Sequence, residues 1–334
     1  MIVLGIESSC DETAAAVVAD GTQIQASVVA SQVAVHRPYG GVVPELASRR
    51  HIEAIVPVVD QALARAKLTA TQIDAIAVTR GPGLVGALLV GFSFARAYAY
   101  SLGKPWVGVN HLTGHIHSLF LSSDPPVFPF VALLASGGHT CIYYVTSPLS
   151  TELMGRTRDD AAGEAFDKVS KLLGLGYPGG GVISRISQEG RPGRIVFPRA
   201  YLDKQAFDFS FSGLKSAVRR YVETHPQTWK SETADIAAEF QQAVVDVLTA
   251  KLLSAARSRK CRRIAVVGGV AANQCLRQTL RDKADQEEIS VFMPPVDLCG
   301  DNAAMIAAAG YHLLRAGKTG ELADDVYSTK DLST

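Results

Sequence analysis

Two stretches of the chain carry the same order of apolar and polar positions. The first opens with an apolar run, Ile2–Ile6, then a polar turn from Glu7 to Glu12 and a second run, Thr13–Val18. The second opens with Phe130–Ala135, the turn Ser136-Gly137-Gly138-His139 and the run Thr140–Val145. Each continues with a short apolar run, a glycine turn and a long helical pattern. These are Ile73–Val78, Gly81-Pro82-Gly83 and Leu84–Tyr100, then Ile264–Val267, Gly268-Gly269 and Ala271–Asp285. Each closes on one more strand and helix: Trp106–Val109 into His111–Leu121, and Ile289–Met293 into Asp301–Ala309. Short apolar runs bounded by turn residues predict strands, and their alternation with helices predicts parallel pairing in an α/β fold. The opening hairpins add antiparallel strands.

The repetition predicts two similar lobes with a cleft between them. The expected division is 1–108 with about 303–334 for one lobe and 109–302 for the other. Residues 155–230 have no counterpart in the first stretch, and we read them as a mostly helical insertion in the second lobe. The insertion holds a helical run, Asp160–Leu173, and the glycine cluster Gly179-Gly180-Gly181. Asp235–Ser258 follows as a long amphipathic helix, with Ile236, Phe240, Val244, Val247 and Leu248 at helical spacing, the pattern of a core-packing face.

At 334 residues, 47% hydrophobic and 19% charged, the chain has the composition of a well-packed globular protein. No charged-then-apolar leader precedes the first strand, and no apolar run reaches the roughly 20 residues that span a bilayer. Five cysteines, at 10, 141, 261, 275 and 299, form no C-x-x-C pair. They point to reduced thiols and a cytoplasmic setting rather than to a disulfide frame or thiolate zinc. With a net charge of +1, nucleic acid is accessible only through a local patch or a basic partner.

The sharpest chemical signal is His111-Leu112-Thr113-Gly114-His115. Histidines at i and i+4 share a helix face, so two imidazoles can share one divalent metal. Asp301 sits at the matching strand-to-helix junction of the second stretch and is a candidate third ligand, which pseudo-symmetry is expected to bring to the histidines at the lobe interface. Two histidines and a carboxylate leave positions open for substrate. Such a pair is also compatible with two half-exposed surface histidines. The turn at 136–139 can aim backbone N–H groups at an anion, or be an ordinary glycine hairpin. Its mate, Glu7-Ser8-Ser9-Cys10-Asp11-Glu12, stands in the first lobe. The pair matches the phosphate clamp of actin-like, sugar-kinase and heat-shock chaperone ATPases, whereas no P-loop is present. Gly268–Asn273 opens a helix at a strand end, where Asn273 can hydrogen-bond a ribose or base. Asp160, Glu164 and Asp167 fall on one helical face, either to bind a ligand or as a solvated face paired with Lys168 and Lys171. Phe209 and Phe211 read as core. Arg257, Arg259, Lys260, Arg262 and Arg263 form either a solvated cationic face or an RNA phosphate contact. His117 lies off the His111/His115 face, and Cys10, beside Asp11, is a poor thiolate.

Together these segments resemble the TsaD family, the tRNA N6-adenosine threonylcarbamoyltransferases, once labelled O-sialoglycoprotein endopeptidases. The resemblance runs from Leu4-Gly5-Ile6-Glu7 to the helix after Asp301. It rests on Ser9-Cys10-Asp11-Glu12-Thr13, Gly40–Arg49, Gly81-Pro82-Gly83-Leu84, His111-x-x-Gly114-His115, Ser136–Thr140, Asp160–Lys168 and Tyr177-Pro178-Gly179-Gly180. It implies the two-lobed actin-like ATPase fold. It implies one divalent metal, of the iron type with zinc as the alternative, held by His111, His115 and Asp301. It further implies a threonylcarbamoyl-AMP donor contacted by Leu134, Ala135, Ser136, Gly137, Gly138, Asp167, Gly180 and Asn273. The acceptor would be N6 of the adenosine just 3′ of the anticodon in tRNAs reading codons that begin with A. The implied partners are TsaB, of related fold, and TsaE, a P-loop ATPase, with no membrane. Ala303 replaces a glycine of the family pattern within a helix, and Ser8 replaces a threonine while keeping the hydroxyl.

An adenine amine is a weak nucleophile, so a carboxylate that accepts its proton would help, and Asp11 and Glu12 are the catalytic candidates. Other readings are an actin-like ATPase or a non-catalytic regulatory subunit. A metalloprotease would need a glutamate directly after the first histidine, and that position is Leu112.

Overall fold

The structure, a computed structural model, describes residues 1–201 and 206–329. In chain order it forms β1 (Ile2–Glu7), β2 (Glu12–Ala19), β3 (Gln23–Ser31), the short α1 (Val33–His36), α2 (Pro44–Ala66), β4 (Ala75–Gly81), α3 (Val85–Leu102), β5 (Trp106–Asn110) and α4 (His111–His117). There follow β6 (Phe130–Ala135), β7 (Thr140–Ser147), β8 (Ser150–Arg156), α5 (Ala162–Leu172), α6 (Gly179–Ile186), α7 (Ser212–Thr224), α8 (Thr233–Ser258), β9 (Arg263–Val267), α9 (Gln274–Asp285), β10 (Ser290–Phe292) and α10 (Ala303–Arg315).

The strands form two five-stranded sheets, ordered β3-β2-β1-β4-β5 and β10-β9-β6-β7-β8. Read from the hairpin edge inward, the orders are the same. In each, the opening hairpin pairs antiparallel and the next strand joins its first strand in parallel. The duplication expected from the hydrophobic pattern is therefore present in the topology.

The first unit comprises Met1–Pro126, Ser147–Thr151 and Pro294–Thr334, and the second Val127–Thr146 and Glu152–Met293. The expected division at 109 and 302 is displaced. Residues 109–126 and 294–302 belong to the first unit, because α4 packs on α10. Gly114 lies so close that a Cβ there would meet Ile306 Cδ1 at 2.7 Å. Residues 330–334 of the expected first-lobe tail lie outside the described residues. The insertion supplies α5, α6 and α7 to the second unit.

In the first unit both sheet faces are covered, which is why β1 and β2 read as unbroken apolar runs rather than alternating ones. Alternation reappears in the packing. Leu4, Ile6, Ala15 and Val17 meet Ile55, Val59, Phe92 and Ala95 of α2 and α3. Val3, Ala14, Ala16 and Val18 meet Ala303, Met305, Ile306 and Ala307 of α10. Gly5 and Gly310 let α10 lie close: a Cβ on Gly5 would stand 2.1 Å from Ala303 O, and one on Gly310 2.3 Å from Ala77 Cβ. Among the described residues, α3 alone is long and apolar enough to cross a membrane. It buries Leu88, Phe92, Ala95 and Ala99 in this core. Its Arg96 lies over Phe92 and Trp106 and donates to the Leu322 carbonyl at 2.8 Å.

β3 and β8 carry no clean period in the sequence, whereas α2 buries Ala47, His51, Ile55, Val58, Val59, Ala62 and Leu63 at helical spacing. β3 is a largely exposed edge strand, and α2 contains Pro57.

Candidate functional site

The first unit gathers its chemistry at the carboxyl ends of β1, β4 and β5. Parallel register places Ile6 beside Val78 and Thr79 beside Val109, so Glu7, Thr79 and the residues after Asn110 end at one level. Asn110 caps α4, accepting from the Leu112 N–H at 2.8 Å and the Thr113 N–H at 3.3 Å. That cap orients His111 and His115. Asp301 lies just before Asn302, which caps α10 by accepting from Met305 N–H at 3.0 Å.

The three side chains meet. His115 Nε2 lies 3.3 Å and His111 Nε2 3.6 Å from Asp301 Oδ1. One ligand atom from each residue falls within 4.8 Å of the others. All three belong to the first unit, so Asp301, though it comes from the second sequence repeat, completes a site within one unit rather than at the expected lobe interface. The surface alternative for the histidine pair also fails, since His111 is 6% and His115 0% exposed. The His115 Nδ1 is buried without a hydrogen-bond partner, and its Nε2 meets only the Asp301 carboxylate, which leaves that nitrogen placed to ligate beside it. His117 faces elsewhere, with its Nδ1 donating to the Thr113 carbonyl at 2.9 Å and its ring against Phe120 and His312.

The electrostatics also suit a cation. Burial works against a charged His111, but Asp301 and Glu7 outweigh it and raise its pKa to about 9. Burial and the neighbouring His111 hold His115 below its ordinary value, in the neutral form that ligates metal. Burial, then the Asp11 and Asp301 charges, push Glu12 up to about 7. Asp11 is raised as well, by burial first and then by Asp301. Burial and Asp11 push the Cys10 thiol far up, so it stays protonated. Carboxylates that repel one another around two imidazoles form a donor set that a divalent ion would relieve.

Glu12 Oε1 accepts from Ser31 Oγ at 2.8 Å, while its Oε2 is buried without a partner. The turn carrying Asp11 and Glu12 is held by His51 of α2, which the sequence pattern did not single out. Its Nε2 lies 2.9 Å from the Cys10 carbonyl and its Nδ1 2.8 Å from Thr13 Oγ1. Burial lowers the His51 pKa and keeps the ring neutral. Glu7, the turn's first residue, was likewise not singled out.

The second unit holds a cavity of about 490 Å³. It brings Gly137, Asp167, Gly180 and Asn273 together from four separate segments, with Arg185, Ser184 and Gln188 beside them. The turn at 136–139 closes on itself through Ser136 N–H to the His139 carbonyl at 2.8 Å. Side chains added at Gly137 or Gly138 would meet nothing, which leaves the backbone open to a ligand. Gly163 lets α5 abut this turn, for a Cβ there would sit 2.5 Å from Ser136 O. Leu134 and Ala135 are buried in β6, so their side chains belong to the core. Asn273 caps α9, accepting from Leu276 N–H at 3.0 Å, and its Nδ2 donates to Gln241 Oε1 at 2.7 Å. These bonds use one donor and one acceptor of the amide, which lines the cavity and keeps a second N–H and a second lone pair.

The expected acidic face divides. α5 begins only at Ala162, and Lys168 Nζ pairs with Asp160 at 2.6 Å and Glu164 at 2.8 Å. Asp167 instead faces the cavity and accepts from Gly179 N–H at 2.6 Å. Three of the five cations at 257–263 are ion-paired: Arg257 with Glu287, Arg259 with Glu152, and Arg262 with Glu288. Those pairs favour a solvated face over a phosphate contact. Phe209 and Phe211 are core, as expected.

The family model described as tRNA N6-adenosine threonylcarbamoyltransferase, TsaD, matches residues 23–308. The chain belongs to the TsaD family. A relative from Desulforapulum autotrophicum carrying the same description is 60% identical over 98% of this chain and 98% of its own. One from Moorella thermoacetica is 55% identical over 93% of this chain and 91% of its own. Among solved structures, full-length HypF aligns with a TM-score of 0.61 at 13% identity, over 94% of this chain and 46% of that one. Component A of (R)-2-hydroxyglutaryl-CoA dehydratase from Acidaminococcus fermentans gives 0.57 at 13%, over 95% of this chain and 100% of that one. These structural likenesses concern the fold alone, the actin-like ATPase fold. The TsaD chain is a transferase whose first unit carries a histidine–histidine–aspartate cluster fit for a metal.

Proposed function

We propose that this TsaD protein moves the threonylcarbamoyl group from threonylcarbamoyl-AMP to N6 of the adenosine just 3′ of the anticodon. The tRNAs are those reading codons that begin with A, and AMP is released. The observation that carries this reading is the family match over nearly the whole chain, joined to a His111–His115–Asp301 cluster whose geometry is intact. The three residues would hold Fe2+ or Zn2+, which acts as a Lewis acid on a donor oxygen when bound. The second-unit cavity would take the adenylate, with the Ser136–Gly138 amides toward its phosphate and Asp167, Gly180 and the Asn273 segment along its walls. The adenine nitrogen bonds to the carbamoyl carbon as the bond from that carbon to the phosphate oxygen breaks. The proton lost from N6 passes to a carboxylate, for which Asp11 and Glu12 are suited. Glu12, raised to about 7, is a better proton acceptor than an ordinary carboxylate and is still partly ionised at neutral pH. A nearly neutral chain in which Arg257, Arg259 and Arg262 are already paired needs help to hold tRNA, and TsaB and TsaE, in the cytoplasm, would supply it.

Reconstitution tests the reading. Threonine, bicarbonate, ATP, the adenylate-forming enzyme, TsaB, TsaE and tRNA are combined with the chain, and nucleosides are analysed by mass spectrometry. Threonylcarbamoyladenosine should form only with the chain present. No modified nucleoside in the complete mixture, with ATP hydrolysis by the chain incubated alone, would overturn the proposal in favour of an ATPase.

A further inference from the structure

Glu7 is fully buried at the end of the central strand β1, where an ionised carboxylate is costly unless it is held. It is held on every side. Its Oε1 accepts from Ser9 N–H at 2.5 Å, and its Oε2 accepts from Thr79 Oγ1 at 2.6 Å. The same Oε2 lies 3.0 Å from His111 Nδ1, with Ser9 Oγ 3.2 Å from that nitrogen. The other ring nitrogen, Nε2, turns to Asp301. Glu7 therefore stands behind the first histidine of the cluster, on the side away from the ligand position.

We infer that Glu7 is a positioning residue for the metal centre: its carboxylate accepts the Nδ1 proton of His111 and thereby presents Nε2, as a lone pair, to the ion. This rests on the metal reading of His111, His115 and Asp301. An imidazole has two tautomers, and only one leaves Nε2 free to ligate. A carboxylate acceptor at Nδ1 selects that tautomer, fixes the ring plane and raises the donor strength of Nε2. Three strand ends supply the arrangement. β1 brings Glu7, β4 brings Thr79, and β5 runs into Asn110, whose cap starts the helix at His111. Thr79 keeps Oε2 directed at the ring, so it is a second element of the same device. His115 has no such support, since its Nδ1 is unpartnered. The two histidines are thus unequal, and His111 carries the orientation of the pair.

The test uses the full chain with Zn2+ as probe. Zinc affinity is measured by competition with a chromophoric chelator, and ring nitrogens are observed by NMR on protein labelled with 15N-histidine. In zinc-loaded wild type, His111 should ligate through Nε2 and carry its proton on Nδ1. Glu7→Gln keeps the shape but can offer an N–H to Nδ1, which favours the wrong tautomer. Its zinc affinity should fall about 10- to 100-fold, while the His51 and His117 signals stay in place. Thr79→Val should give a smaller fall. Zinc affinity in Glu7→Gln within twofold of wild type would overturn the inference, as would ligation of wild-type His111 through Nδ1. The wild-type spectrum decides the matter even if Glu7→Gln does not fold. A wild-type chain that binds no zinc at all would instead remove the metal reading, and this inference with it.

Discussion

Gly5→Ala tests how the core sets the metal centre. The added Cβ would lie 2.1 Å from Ala303 O and 2.9 Å from Ala307 N. Both are backbone atoms of α10, so no side chain can turn aside. A carbon–oxygen contact needs about 3.3 Å, so the first turn of α10 must retreat by about 1.2 Å, the difference between that distance and 2.1 Å. The retreat breaks packing against Val3, Ala14 and Ala16. Overpacking of this kind costs about 1–3 kcal/mol. Replacing glycine also restricts the unfolded chain, which returns about 0.4–1 kcal/mol. The strain wins, leaving a net loss of about 1–2 kcal/mol on those magnitudes. Asp301 stands two residues before α10, and a ligand tolerates displacement of only about 0.5 Å. Zinc affinity should therefore fall with stability. Urea unfolding and chelator competition measure the two effects. Gly41→Ala is the control: its Cβ would meet nothing within 4 Å, so it should be neutral or slightly stabilising. If Gly5→Ala matched wild type in both measurements, α10 would not be seated by Gly5, and the link from core packing to Asp301 would be wrong.

Other expectations follow from the same geometry. His111→Ala, His115→Ala and Asp301→Ala should each lower metal content and abolish transfer. His117→Ala should leave metal content unchanged, because its ring faces Phe120 and His312; metal analysis and the reconstituted assay compare the four. Asn110→Ala removes the cap of a seven-residue helix and should cost about 1 kcal/mol, read as a lower urea midpoint with an unchanged slope; an unchanged midpoint would mean the cap does not hold α4. Glu12 ionises near 7 in the folded chain against 4.5 for a free side chain, so between those values the folded state keeps a proton that the unfolded chain has lost. Its contribution to stability should fall as pH rises through that window, and Glu12→Gln should flatten the decline when unfolding is compared at pH 5 and pH 8. Asp167→Ala should weaken binding of AMP, measured by calorimetry, without lowering metal content, because Asp167 lines the second-unit cavity and the cluster lies in the first unit. Unchanged AMP binding would remove that cavity from the adenylate site.

The hydrophobic order alone determined much of this protein. Unbroken apolar runs marked strands buried on both faces, and their repetition marked the duplication that the two sheets share. Helical spacing placed His111 and His115 on one face. Only the tertiary structure decided where the repeat divides. α10 lies across the first sheet because Gly5, Gly114 and Gly310 let backbones and side chains come close, and no local pattern announces such a fit. That packing, rather than pseudo-symmetry between repeats, brings Asp301 to the histidines. Parallel register set Glu7 and Thr79 beside His111, from positions 72 residues apart for the first two. Ion pairing settled the charged motifs: Lys168 took Asp160 and Glu164, and acidic side chains took Arg257, Arg259 and Arg262. A sequence shows which side chains can carry charge or ligate. Which of them find partners within the protein, and which are left facing a cavity or an ion, depends on distances that only the folded chain defines.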